Sequence, residues 1–233
     1  MSYRFYKLLM KLKGVIIMAK ALPEIIYMGN KGTPVIDAES SFYTLPYYKD
    51  LDYFSNYESY VKFVKGIEKM VRTNPKYKKY INFLKKEVKL DRCQVLKNVT
   101  DKDADIEMHH GPVFTLFDIC AIILEYFILK KWKISTARIA RVVLNEHLQN
   151  RVQVVMVSCT VHEEIHNGDI FINIHQAYGD LKGFIKKYKD AISDEYREQL
   201  NKYIDRSLLY DSQDFSVLEL NELLVPKTKK EDS

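Results

Sequence analysis

Two pairs of histidines are the residues of this sequence whose spacing is best suited to chemistry. His109 and His110 are adjacent, and His162 and His166 are four positions apart. Residues four apart on a helix share one face, so the second pair can hold a single metal ion. Adjacent residues on a strand point to opposite faces, so one histidine of the first pair can join that ion while the other acts as a base. All six histidines of the chain fall within positions 109–175.

Two short strands and a helix are predicted to position these pairs. Residues 105–110 (DIEMHH) read as a short strand, and residues 152–158 (VQVVMVS) are a β-branched, apolar run typical of a buried strand. Thr160 and Glu163 have the spacing of a capping box at the start of a helix, and Gly168 suits the end of that helix. The second histidine pair is therefore expected on a short helix directly after a strand.

The rest of the chain is predicted to be mostly helical. Residues 20–55 contain several Gly and Pro and are expected to form irregular coil with short strands, and residues 170–174 (IFINI) are predicted to form a strand. Apolar residues recur at three- and four-residue steps in the other segments. The predicted helices cover approximately 56–71, 75–88, 115–131, 135–150, 180–191, 194–209 and 216–224.

Composition excludes several classes of protein. The chain has 233 residues, is 47% hydrophobic and 29% charged, and has a net charge of +5, which permits nucleic-acid binding without requiring it. Three cysteines do not make a disulfide-stapled scaffold. The longest apolar run is interrupted by Asp118 and Glu125, so no membrane-spanning helix is expected. We expect an intracellular protein in the cytoplasm, which would be the host cytoplasm if a phage encodes it.

The segments IEMHHGPVF at 106–114 and VVMVSCTVHEEIHNGD at 154–169 resemble the HNH endonucleases, also called ββα-metal or His-Me finger enzymes. The resemblance is to the colicin-type DNases in particular. Their motif begins with a glutamate, an apolar residue and His-His, continues through a strand, and ends in His-x-x-x-His-x-Gly on a helix. The resemblance covers approximately residues 105–175.

The resemblance implies a role for each residue of the motif. His109, His162 and His166 would be metal ligands, His110 would be the general base that activates water, and Glu107 would support the histidines. A divalent ion such as Zn, Ni, Mg or Mn would stabilise the charge that develops while His110 takes a proton. The expected activity is hydrolysis of phosphodiester bonds by a metal-dependent endonuclease, with nucleic acid, and DNA above all, as the partner.

The predicted fold class is α+β. A mainly helical N-terminal region at 1–100 would precede an HNH-like ββα-metal core at 101–225, which carries inserted and C-terminal helices, and a charged tail would follow at 226–233. Low Arg content, abundant Lys and a helical N-terminal region suit a product of a phage or another mobile element.

Basic residues outside the motif are candidates for contact with nucleic acid. Arg138 and Arg151 are the arginines predicted to lie near the scissile phosphate, because Arg makes bidentate phosphate contacts. A row of lysines faces away from the apolar stripe of the second predicted helix, and a solvated face is the preferred interpretation over a binding surface. These lysines are Lys78, Lys79, Lys85, Lys86 and Lys89.

The sequence departs from the family in two respects. Between His110 and His162 there are 51 residues, about twice the usual interval, and they include a predicted pair of helices where the family has a loop. The asparagine that braces this loop in the family has two candidate matches, Asn145 and Asn150. A degenerate copy of the fold is therefore an alternative to an active enzyme.

A second alternative uses the metal only for stability. Cys159, His162 and His166 have the C-x2-H-x3-H spacing of structural zinc, and His109 could complete a tetrahedron. This arrangement leaves His110 without a role. The protein would then be non-enzymatic and would bind nucleic acid or another protein. Of the two remaining histidines, the one at position 147 is predicted on a helix surface and the one at position 175 at the end of a strand.

Overall fold

Seven α-helices and four short strands form the described part of the chain, which in this computed structural model comprises residues 25–27, 34–36, 48–210, 220 and 223. The fold is α+β and mostly helical, as predicted at that level. The helices are α1 Tyr57–Arg72, α2 Pro75–Lys86, α3 Leu116–Leu129, α4 Thr136–Leu148, α5 Cys159–Asn167, α6 Leu181–Tyr188 and α7 Asp194–Tyr210. The strands are β1 Ile25–Tyr27, β2 Pro34–Ile36, β3 Ile106–His110 and β4 Val154–Ser158, and two 3-10 helices cover Leu51–Ser55 and Ile174–Gln176.

The two longer strands, β3 and β4, pair antiparallel with His110 opposite Val154. Every residue of β4 is buried, which its apolar, β-branched sequence predicted. The outer edge of β4 is also occupied. The backbone and the side-chain amide of Gln94 both bond to the backbone of Met156, and the backbone of Tyr178 pairs with that of Val154. The backbone groups along β4 are therefore bonded on both sides.

The predicted strand at residues 170–174 is wrong. Residues 170–173 form no regular structure, and Asn173 then caps the second 3-10 helix. Because Gln94 and Tyr178 occupy the free edge of β4, residues 170–174 have no strand to pair with. Ile172 is nevertheless only 3% exposed, so the apolar residues that suggested a strand fill the core from an irregular segment.

One apolar core joins the helices of the predicted N-terminal region to the later ones. Helix α1 packs on α3 and α4, and the buried cluster includes residues from both the 1–100 and 101–225 regions. Helix α3 begins with a capping box, in which Thr115 accepts from the backbone of Asp118 and the Asp118 carboxylate accepts from the backbone of Thr115. Helix α3 is enclosed on almost every side, which follows from its nearly continuous apolar sequence.

The N-terminal boundary predicted for α5 is two residues late. The helix begins at Cys159 with Ser158 in the N-cap position, and Thr160 is already inside the first turn. The reason is that β4 leads into the helix without a loop, so the last strand residue becomes the cap. The Ser158 hydroxyl makes no capping bond and donates to Cys93 Sγ instead. The helix ends at Gly168 with a φ of +85°, as predicted.

Two further expectations concern the ends of the chain. The short strands expected within residues 20–55 are present as β1 and β2, whereas the helix predicted at 216–224 lies outside the described residues except at positions 220 and 223, which are helical. Within the described segments, no helix combines the length and the apolar character that a membrane crossing requires.

Candidate metal centre

Three histidines from β3 and α5 approach one another at the surface of the protein. One side-chain nitrogen each from His109, His162 and His166 lies within 4.8 Å of the other two. The ring centroid of His109 lies 5.0 Å from that of His162 and 5.1 Å from that of His166. We call these three residues the triad. The structure thus brings together the residues predicted as ligands, and the binding of a metal ion stays a prediction.

A glutamate on β3 fixes the orientation of one histidine of the triad. Glu107 precedes His109 by two residues and shares its strand face, and Glu107 Oε2 accepts a hydrogen bond of 2.6 Å from His162 Nδ1. A neutral imidazole that donates from Nδ1 has its lone pair on Nε2. His162 Nε2 lies 3.1 Å from His166 Nε2. Two nitrogens bound to one tetrahedral zinc ion would be about 3.3 Å apart, so this spacing fits two ligands of a single cation.

Burial keeps the strand histidine of the triad neutral. His109 is 7% exposed, and this burial, with smaller contributions from His162 and His166, lowers its pKa from 6.5 to about 4. A metal ligand must present a lone pair, so a low pKa removes the competition from protons near neutral pH. His166 is exposed, and the triad is therefore open to solvent on the α5 side.

A glycine provides the space for the His109 ring. Gly111 has a φ of +156°, and a Cβ atom at this position would lie 2.9 Å from His109 Nε2. In proteins, a Cβ atom does not approach a ring nitrogen to which it is not bonded this closely. Any other residue at this position would displace the His109 ring from its observed position.

His110, the predicted base, lies on the opposite face of β3 from the triad. The side chain is only 6% exposed, and its Nε2 lies 3.0 Å from Nε2 of His147 on α4. The Tyr77 hydroxyl on α2 lies 3.5 Å from the same nitrogen, and the Tyr77 and His110 rings are parallel. Because side chains alternate along a strand, His110 points away from the triad, as expected. The groups that surround its ring are other side chains of the protein. Its role as a base stays a prediction.

The placement predicted for His147 is wrong. We expected this residue on a helix surface, but it is fully buried. The apolar residues Ile139, Ala140 and Val143 form the buried stripe of α4, and position 147 continues that stripe at helical spacing. This periodicity is the signal in the sequence that could have identified His147 as a residue of the interior.

The two arginines predicted near the substrate have partners elsewhere. Arg151 Nε donates to Glu146 Oε2 at 2.5 Å, and Lys187 donates to the other carboxylate oxygen at 2.6 Å. Burial alone would raise the pKa of Glu146, but the bonds from these two cations lower it. Arg138 donates to the Lys133 carbonyl oxygen at 2.8 Å. Contact of either arginine with a phosphate stays a prediction.

Other candidates from the sequence also lie apart from the triad. Cys159 is an exposed free thiol and is not part of the group of three ligand atoms, so the tetrahedral arrangement of one cysteine and three histidines is not formed. His175 is exposed on the second 3-10 helix. Asn145 is exposed, and Asn150 follows the end of α4 with a φ of +55°.

One residue that supports β3 was not identified from the sequence. Lys85 on α2 was grouped with the solvated lysines, but its Nζ donates to the Ile106 carbonyl oxygen at 2.8 Å, at the start of β3. No local pattern distinguishes this lysine from its neighbours, because its partner is 21 positions away.

The fold and the site together define an α+β, mostly helical protein with a solvent-accessible cluster of three histidines that can hold a divalent cation. The chain belongs to the bacteriophage G278-like virion protein family, whose model matches residues 28–231. No curated protein matches the chain, and no solved structure matches it. The expected association with phage is confirmed by this family membership.

Proposed function

We propose that this protein is carried in the phage virion and is a metal-dependent endonuclease that hydrolyses phosphodiester bonds of DNA. The observation that carries the proposal is the approach of His109, His162 and His166 to within 4.8 Å of one another. Three neutral imidazoles suit a divalent cation such as Zn or Ni and leave a coordination position open for an oxygen of water or substrate. Mg and Mn are the other candidates.

The order of the elements supports an HNH-type core. Strands β3 and β4 pair antiparallel, and α5 follows β4 directly, so that two strands and one helix supply the whole triad and Glu107. Helices α3 and α4 are then an insertion between the two strands, and α6 and α7 are C-terminal additions. This arrangement agrees with the resemblance of residues 106–114 and 154–169 to the HNH motif.

Each residue of the site has a role in the proposed reaction. A water oxygen attacks phosphorus, His110 accepts the proton that this water loses, and the bond from phosphorus to the leaving ester oxygen breaks as that oxygen takes a proton from solvent. Glu107 holds the His162 ring with Nε2 toward the triad. A divalent cation held by the triad would stabilise the negative charge that develops on the phosphate.

The enclosure of His110 favours a second candidate function. This residue lies between Tyr77 and His147 and is almost fully buried, whereas a base must reach the water that it deprotonates. The alternative is a virion protein in which the triad binds a metal ion for stability alone and which binds nucleic acid or another protein. Both candidates require the metal, and they differ in whether DNA is cleaved.

Plasmid nicking and metal content, measured on the same preparations, separate the two candidates. His166→Ala should lower both the bound metal and the melting temperature, because a bound cation stabilises only the folded state. His110→Ala should retain the metal while nicking falls by roughly 10² or more. His175→Ala removes an exposed histidine outside the triad and should keep the bound metal and the nicking of the parent protein.

The outcomes exclude different candidates. The endonuclease is supported if the parent protein nicks DNA, a chelator abolishes this nicking, and His110→Ala does not nick DNA. Bound metal without nicking under Zn, Ni, Mg or Mn would support the structural candidate. A parent protein that binds none of these ions would contradict both.

A further inference from the structure

A second histidine cluster lies on the buried face of β3, opposite the triad. His110 Nε2 and His147 Nε2 are 3.0 Å apart, and His147 Nδ1 lies 2.8 Å from the Val143 carbonyl oxygen. The rings of Tyr77 and Tyr80 contact the edge or face of the His147 ring. Helix α4 thus places one imidazole directly against the residue that the proposed function uses as a base.

The bonding partners determine which nitrogen carries each proton. A carbonyl oxygen only accepts, so His147 Nδ1 must be the donor toward Val143. The His110 side chain is 6% exposed and that of His147 is 0% exposed, and burial disfavours the charged form of an imidazole, so both rings are assigned as neutral. Neutral His147 then has its lone pair on Nε2 and accepts the hydrogen bond from His110 Nε2. His110 is left with its lone pair on Nδ1.

We propose that His147 is a positioning residue that holds His110 in the tautomer with the proton on Nε2, so that Nδ1 is the nitrogen able to accept a proton. The chain of bonds runs from His110 to His147 to the Val143 carbonyl oxygen. The use of this nitrogen in cleavage rests on the proposed endonuclease function. The inserted helices α3 and α4 then have a purpose, because α4 carries His147 to the strand.

The tautomers can be read directly by NMR. Long-range proton–nitrogen spectra of the zinc-loaded protein, labelled with nitrogen-15 in its six histidines, distinguish a ring protonated on Nδ1 from one protonated on Nε2. We expect the proton on Nδ1 in His147 and on Nε2 in His110. This measurement needs no variant and no activity, and a parent protein with the His110 proton on Nδ1 would overturn the inference.

Variants at His147 test the positioning role. His147→Leu removes the nearer group at His110 Nε2 and leaves the Tyr77 hydroxyl at 3.5 Å, which can either donate to that nitrogen or accept from it. His110 should therefore populate both tautomers, and nicking should fall on the order of 10², with metal content unchanged. His147→Gln offers an amide oxygen to His110 and should retain the Nε2-protonated ring and recover most of the nicking. Tyr80→Phe is the packing control, because the Tyr80 ring contacts His147 but its buried hydroxyl has no hydrogen-bond partner among the described residues.

The two proposals fail in different ways. An unchanged His110 tautomer in His147→Leu would overturn the positioning role even if the parent cleaves DNA. If the parent protein shows the expected tautomers but does not nick DNA, the positioning role is supported and the endonuclease is contradicted.

Discussion

At the scale of single residues, Glu107 and Gly111 shape the triad without belonging to it. Glu107 holds His162 through one hydrogen bond, and Gly111 leaves the space that the His109 ring fills. Neither residue changes the number of ligand nitrogens. Substitutions at these positions therefore test the geometry of the triad while its three histidines stay unchanged.

Glu107→Gln should weaken metal binding while leaving the fold intact. The amide keeps the size of the side chain but loses the negative charge that accepts the hydrogen bond from His162 Nδ1. Loss of such a supporting carboxylate typically lowers metal affinity by roughly 10- to 100-fold. Zinc titration against a competing chelator measures the change. Glu163→Gln, on the exposed face of α5, is the matched control and should keep the affinity of the parent.

Gly111→Ala should disturb the triad through a steric contact. The added Cβ would lie 2.9 Å from His109 Nε2, so the ring must move and metal affinity should fall. Gly168→Ala is the matched control. This residue also has a positive φ, +85°, but a Cβ there meets no atom of the described part of the chain within 4 Å. Both variants should lose roughly 1–3 kcal/mol of stability from backbone strain. Equal metal affinities in the two would contradict the steric role of Gly111.

At the scale of elements, the two helices between β3 and β4 are part of the core. Helices α3 and α4 pack on each other and on α1, and α3 carries a half-buried carboxylate, Glu125. Burial raises the pKa of Glu125 from 4.5 to about 7. A buried acid of this kind makes the stability of the packed helices depend on pH.

Glu125 should make the protein less stable as the pH rises. Its folded-state pKa is higher than its unfolded value, so its contribution is complete below pH 4.5 and is lost as the pH passes through about 7. The free energy of unfolding should fall by at most about 3 kcal/mol from this cause. The buried histidines, whose pKa values are lowered, contribute the opposite trend in the parent and in Glu125→Gln alike. Urea unfolding of both proteins at pH 5 and pH 8 therefore isolates the contribution of Glu125 as the difference between their pH dependences. Glu87→Gln, an exposed change, should keep the pH dependence of the parent.

At the scale of the whole molecule, the net charge of +5 and the exposed lysines bear on the proposed partner. Lys78 is exposed on α2, and Lys89 is exposed beyond the end of the helix. Lys85 differs from them, because its ammonium group is bonded to the backbone of β3. Only the exposed lysines are free to contact a phosphate backbone without a loss of structure.

A double variant, Lys78→Gln with Lys89→Gln, tests whether this face binds DNA. Each phosphate that a protein neutralises contributes about −0.9 to the log–log slope of affinity against salt. If both lysines contact the backbone, the slope should become less negative by about 1.8. Fluorescence anisotropy over a series of salt concentrations gives the slope. Replacement of Lys186 and Lys189, which are exposed on and just after α6, serves as the control. Equal slopes for the two double variants would show that the lysines of α2 are solvated and do not bind DNA.

The sequence alone determined the features that depend on backbone geometry and short spacing. Residues four apart on α5 share a face, residues two apart on β3 share a face, and an Asn, Thr or Gly at a helix end satisfies local backbone groups. These rules predicted that His162 and His166 lie side by side, and that His109 and His110 point to opposite faces of β3. The same rule accounts for the caps of α1, α2 and α3, where Asn56, Asn74 and Thr115 accept from backbone N–H groups of the first turn.

The tertiary structure decided the features that depend on competition between distant groups. His110 meets His147 from 37 positions away, and Glu146, which binds Arg151 nearby, also takes up Lys187 from 41 positions away. Residues 170–174 do not form a strand, because other segments bond to the edge of β4 first. A local pattern states what a segment can do, but burial and hydrogen bonding are shared among all segments that reach the same place. Which partner each group obtains is therefore settled only when the helices and strands pack together.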